Sequence, residues 1–201
     1  MKLAGCKKVS FGLESGSQKI LDLMRKNATI EMARQAVKIV AQAGLNIHAS
    51  FMLGNVGETA ATIRETINFA KSLPLDNATF FITAPFPGTD LYKIALASGF
   101  INEHTRWEDF APITKSAPVL VQGNLSQAEL ISWQKKAFRK FYLRPKYIFR
   151  KLAKISSWTD LKIILTGLGI FLRVQKKKIK KLKTSPFGLK PIGAKPEPRK
   201  K

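Results

Sequence analysis

The sequence predicts an α/β fold, a partial (βα) barrel of parallel strands followed by a helical, basic C-terminal appendage, on three observations. Residues 9–13, 45–53 and 78–83 alternate apolar with mostly polar side chains, the period of a strand with two unlike faces. Helical patterns separate these segments, so the strands recur at the spacing of βα units. The charge is also divided. Residues 1–134 hold 13 Lys and Arg against 11 Asp and Glu, whereas residues 135–201 hold 22 against Asp160 and Glu197 alone, a net of +20.

The first strand sets Val9, Phe11 and Leu13 against Ser10, Gly12 and Glu14. The second sets Leu45, Ile47, Ala49, Phe51 and Leu53 against Asn46, His48, Ser50 and Met52. The third sets Ala78, Phe80 and Ile82 against Thr79, Phe81 and Thr83. The apolar face belongs under the helices. The other must meet water or a wet cavity, because an unpaired buried hydroxyl or imidazole costs a few kcal/mol. A polar concave sheet is a place where something binds.

Helices are expected at 18–26, from an N-cap at Thr29 to a stop at Gly44, at 58–73 and from Thr89 to about Ser98. In the second, Met32, Ala36, Ile39, Val40 and Ala43 are the expected apolar stripe. Glu58 opens the third, a carboxylate that caps the helix and fixes its loop. Ser126-Gln127-Ala128-Glu129 reads as a capping box before a helix to about Leu143, and a basic, aromatic helix follows Pro145. Residues 161–174 are mostly apolar but too few for the roughly twenty needed to cross a bilayer. They lead into Lys176-Lys177-Lys178, and from Thr184 the Pro, Gly and Lys content predicts a disordered tail. The expected divisions are a half-barrel over 1–110, a helical basic region over 111–183 and a tail over 184–201.

Length allows one domain with an appended segment. The single Cys6 excludes a disulfide framework and any cysteine-held metal site within this chain, so no metal ligands are assigned. No signal-peptide pattern opens the chain, and a reducing cytoplasm is the expected compartment.

Three loops sit at predicted strand ends: Gly12-Leu13-Glu14-Ser15-Gly16-Ser17, Met52-Leu53-Gly54-Asn55-Val56-Gly57-Glu58-Thr59 and Pro85-Phe86-Pro87-Gly88-Thr89. Parallel α/β folds place ligands there, and glycine allows close backbone approach. Each loop alone also suits an ordinary βα turn. Their coincidence with one polar sheet face favours a site. His48 and Thr83 are substrate-facing candidates on that face, although a hydrogen-bonded structural histidine is the commoner role.

In this order, Phe11-Gly12-Leu13-Glu14-Ser15-Gly16-Ser17, Ile20-Leu21, Met24-Arg25-Lys26, Phe51-Met52-Leu53-Gly54 with Gly57-Glu58-Thr59, Pro85-Phe86-Pro87-Gly88-Thr89-Asp90-Leu91-Tyr92 and Phe141-Tyr142-Leu143-Arg144-Pro145 resemble the second half of a radical S-adenosylmethionine enzyme. The fold so implied is a TIM-like barrel, and the subgroup is the one whose longer members carry a cobalamin-binding domain. The resemblance implies S-adenosylmethionine as cofactor, with Glu14, Ser15, Ser50, Met52, Gly54, Pro85 and Phe86 as its binding residues and no catalytic residue assigned. It also implies a 4Fe-4S cluster in the complete enzyme, and leaves open whether cobalamin takes part there. The CxxxCxxC cluster loop is missing, so the expected partner is an N-terminal cluster-bearing half or subunit, this chain being a fragment or split product. The competing readings are a non-catalytic nucleotide-binding module and a basic protein peripheral to the inner face of the membrane. In the latter, residues 135–183 would meet an anionic surface. No specific nucleic-acid motif is present, so only weak nonspecific binding is expected.

Overall fold

A computed structural model describes residues 1–102, 105, 110, 124–152, 158, 162, 166 and 169. Its elements are β1 (Lys8–Glu14), α1 (Gln18–Leu23), α2 (Ile30–Gln42), β2 (Asn46–Leu53), α3 (Ala60–Ser72), β3 (Asn77–Ile82), α4 (Asp90–Ala97), α5 (Gln127–Tyr142) and α6 (Pro145–Leu152). The three strands form one parallel sheet in the order β1-β2-β3. This is the α/β arrangement that the alternation predicts, and the parallel pairing follows from the helical crossovers between strands.

One face of the sheet is the core. Ile47, Ala49, Phe51 and Leu53 of β2 and Ala78, Phe80 and Ile82 of β3 are buried with Ile63, Ile67, Phe69 and Ala70 of α3. Phe51 stacks on Phe80 at 5.3 Å and meets Phe69 edge-on at 6.5 Å. Phe138 and Phe141 of α5 approach the Phe80 ring from the far side, at 5.4 and 6.3 Å. Such edge-to-face pairs add about 0.5–1.5 kcal/mol each beyond their buried area.

The expected caps form: Thr29 accepts a backbone N–H bond, and Ser126 and Glu129 close a reciprocal capping box, while Thr89 caps α4 in the same way as Thr29 caps α2. Three details differ. Helix α1 ends at Leu23, and the chain turns back through Arg25 and Asn27 at positive φ rather than running on to Lys26. On α2 the inward stripe is Ile30, Ala33, Val37 and Val40, while Met32 and Ile39 stand 56% and 65% exposed. Helix α3 starts after the cap Thr59, which leaves Glu58 in the preceding loop.

Helices α5 and α6 share the sheet's core rather than standing apart, because their side chains close the outer edge of β3. The Tyr142 hydroxyl donates to the Ala78 carbonyl at 2.8 Å and accepts from the Ala78 N–H at 3.1 Å. Gln134 donates to the Phe80 carbonyl at 2.8 Å, and Tyr147 to that of Asp76 at 3.0 Å. Arg150 reaches the Leu75 carbonyl. Backbone groups that would otherwise template another strand are taken by side chains. The chain divides into two compact units, Met1–Ser157 and Trp158–Lys201. Segment 161–174, apart from Lys162, Thr166 and Gly169, and the tail from Thr184 lie outside the described residues. No described helix is long and apolar enough to cross a membrane.

Tyr142→Phe tests the edge closure. It removes both partners of Ala78 while keeping the ring contacts, and should cost about 1–3 kcal/mol in chemical denaturation. A loss below about 0.5 kcal/mol would mean that water replaces the hydroxyl and that the edge is held by packing alone.

Candidate cofactor-binding face

The opposite sheet face carries three in-register rows, two largely polar and one apolar: Ser10–His48–Asn77, then Gly12–Ser50–Thr79, then Met52–Phe81. All of these residues are half-buried or exposed, and no described element covers them. His48 Nε2 lies 3.4 Å from the Thr79 hydroxyl. Partial burial, with Lys8 nearby, lowers its pKa below the usual histidine value, so the ring is neutral near pH 7. The Ser50 hydroxyl reaches the Phe11 carbonyl at 3.4 Å.

Glu14 reaches this face through a backbone irregularity. A register shift falls between Gly12 and Glu14, and Glu14 holds φ at 62°, the left-handed region uncommon for a residue with a Cβ. Its carboxylate folds back over Gly12, where a Cβ would meet Glu14 Oε1 at 2.5 Å. Gly12 is in register with Ser50, so the carboxylate sits on the side of the polar rows. There it pairs with Lys26 at 3.3 Å, both groups remaining open to solvent in part.

Other expected site residues face inward. Ser15 is fully buried, its hydroxyl 3.1 Å from that of Thr66 and accepting the Ser17 N–H at 3.1 Å. Gly16 donates to Thr66 at 3.0 Å and lies so close to α3 that a Cβ would come within 2.6 Å of the Thr66 Cα. The small residues of this loop seat α1 on α3, and Ser15 ties to Thr66 within it. Gly54 is likewise buried, its N–H engaged by Glu58. Thr83 lies past the end of β3, buried, and donates to Asn55 Oδ1 at 2.8 Å. Pro85 is buried while Phe86 is open, its ring 6.3 Å from Phe110. Among the sequence-derived candidates the face therefore groups Glu14, His48, Ser50 and Met52, with Phe86 at the strand-end rim. Sequence reasoning passed over Phe81, although an aromatic side chain at a polar-face position was its signal. It also missed Asn55, which joins Thr83 to the Met52 carbonyl at 3.2 Å.

Glu58 is fully buried beneath the β2 loop, and its Oε2 accepts from the N–H groups of Gly54 at 2.5 Å and Asn55 at 3.0 Å. Burial raises its pKa from 4.5 to about 7 against the opposing pull of those hydrogen bonds. The carboxyl fixes the loop as expected, from outside the helix.

Residues 1–70 match the family model of the Radical SAM superfamily. An uncharacterized methyltransferase of Pyrococcus horikoshii is 35% identical over 152 residues, covering 76% of this chain and 32% of the relative. The bacteriochlorophyllide d C-8(2)-methyltransferase of Chlorobaculum tepidum is 30% identical, with 69% and 33% covered. The anaerobic magnesium-protoporphyrin IX monomethyl ester cyclase of Rubrivivax gelatinosus is 26% identical, with 72% and 25% covered. Among solved structures, the archaeal Elp3 of Methanocaldococcus infernus, lacking its N-terminal segment, superposes with a TM-score of 0.50 at 18% identity. The match covers 71% of this chain and 28% of that one, a likeness of fold. The chain is a radical S-adenosylmethionine superfamily member related to methyltransferases and cyclases. It spans between a quarter and a third of the length of these curated relatives.

Because Glu58 holds its proton more tightly folded than unfolded, its contribution is complete below about pH 4.5 and declines as pH rises towards about 7. The stability difference between the native chain and Glu58→Gln should therefore shift by roughly 3 kcal/mol across that window. Parallel denaturation curves from pH 4 to 8 check this, and a pH-independent difference would contradict the buried, proton-holding carboxyl.

Proposed function

We propose that this chain supplies the S-adenosylmethionine- and substrate-facing half of a radical S-adenosylmethionine enzyme, joined to a cluster-bearing segment or subunit along the β1 edge. The observation that carries the reading is the convergence of Glu14, His48, Ser50 and Met52 on one open sheet face. That face offers hydroxyl, imidazole and carboxylate groups to a polar ligand, and a soft apolar wall of Met52 beside Phe81 to a flat ring.

The cluster does not fit this chain. A 4Fe-4S cluster that leaves one iron for S-adenosylmethionine needs three thiolates, and the sequence supplies only Cys6. Among the described residues no group of three or more His, Cys, Asp or Glu could hold a metal ion. No reductive step is assigned to these residues. Their part is to bind and orient: Glu14 at the end of β1 for donors of the cofactor, Met52 and Phe86 for its ring, and His48 for a polar group of the substrate. Methyl transfer or oxidative cyclisation is the reaction class that the relatives' names support, and cobalamin would belong to a domain of the complete enzyme outside this chain.

The edges favour β1 as the joining surface. β3 is closed by side chains of α5 and α6, while β1 has no neighbour on its outer side among the described residues. Met32 and Ile39, exposed on α2, suit burial under a further barrel helix.

Anaerobic reconstitution with iron and sulfide should leave this chain without a stoichiometric cluster and without reductive cleavage of S-adenosylmethionine. Weak cofactor binding should still perturb the Met52 methyl and His48 ring signals in NMR titration. Formation of 5′-deoxyadenosine by this chain alone would contradict the division of labour. Signals that stay unmoved at millimolar cofactor would contradict the binding face.

A further inference from the structure

Helix α6 turns two unlike faces in opposite directions. At about 100° per residue, Tyr147 and Arg150 project together, and both donate to the segment before β3: Tyr147 to Asp76 and Arg150 to Leu75. Ile148, Phe149 and Leu152 fall within an arc of about 100° on the other side. They are 41%, 71% and 51% exposed. Lys146 borders this arc on one flank and Lys151, its ammonium 5.6 Å from the Tyr147 ring, on the other. Leu143, at the end of α5, is also 47% exposed. The apolar stripe is anchored from behind by hydrogen bonds, so its exposure is a property of a seated helix.

We propose that α6 lies on an anionic lipid surface, with Ile148, Phe149 and Leu152 entering the headgroup boundary and Lys146 and Lys151 meeting lipid phosphates. The charge of the chain suits that partner, since residues 135–201 carry a net of +20 with only Asp160 and Glu197 acidic. In the sequence, the apolar segment 161–174 and the lysines that follow repeat the same pairing of aliphatic and cationic residues. A nucleic acid would use the charge and could stack on Phe149, but it leaves the aliphatic Ile148 and Leu152 without a role. A lipid boundary uses all three side chains together with the flanking lysines.

The test is co-sedimentation of the full chain with vesicles of phosphatidylcholine alone and of equal parts phosphatidylcholine and phosphatidylglycerol. Binding is expected to the anionic vesicles only, and to weaken with salt. Phe149→Glu, at an exposed position, should keep the circular dichroism spectrum of the native chain and lower the partition at least about tenfold. A milder Ile148→Ser should lower it less. Three results would overturn the proposal: no binding to anionic vesicles, equal binding by Phe149→Glu, or preference for a single-stranded oligonucleotide in direct competition.

Discussion

One hydroxyl organises the far side of this molecule. A parallel sheet of three strands has two edges, and each presents backbone donors and acceptors that must find partners. On β3 the Tyr142 hydroxyl serves both groups of Ala78, and Gln134, Tyr147 and Arg150 serve the carbonyls on either side. That closure fixes α5 and α6 against the sheet, brings Phe138 and Phe141 onto Phe80, and ends the sheet there. It also gives the sheet a direction. Among the described residues β1 is the edge without a neighbour, and there the parallel pairing turns alternate backbone groups outward.

The same asymmetry explains why the polar-face residues stand where they do. The apolar face is sealed by α3 and α5, so Glu14, His48, Ser50 and Met52 are left on the open side, and the strand-end loops decide which ends stay available. Two of those loops are tied down internally. Ser15 and Gly16 hold to Thr66, while Asn55 and Glu58 brace Gly54, Met52 and Thr83. These ties hold Glu14 at a strained, left-handed turn and keep Met52 at the open end of β2. Rigid support beneath an open face is what a binding site needs.

The strands were legible because side-chain alternation is a direct consequence of pleating, and the parallel order followed from the helices between them. The family was legible from the ordered set of short loop motifs. The roles of individual loop residues were not. Ser15 and Thr83 have side chains equally suited to a ligand or to an internal partner, and their bonds to Thr66 and Asn55 depend on the approach of α3 and of the β2 loop, which no local pattern announces. The α2 stripe was misread because Met32 and Ile39 fit helical spacing as well as Val37 does; nothing within one helix says which face meets the sheet. The closure of β3 was invisible for a similar reason, since Tyr142 and Ala78 are far apart in sequence and the bond between them has no local signature.

Backbone amide exchange, followed residue by residue with and without the cluster-bearing segment, tests the central claim most directly. Lys7 accepts from Asn46 towards β2, so the alternate amides of Lys8, Ser10 and Gly12 face outward. In the chain alone those three should exchange quickly and Ala78 slowly. On addition of the partner the β1 amides should become protected while Ala78 stays as it was. Protection arising at β3, or no change at β1 in an assembly that is active, would contradict an account in which one edge is closed by Tyr142 and the other is the joining surface.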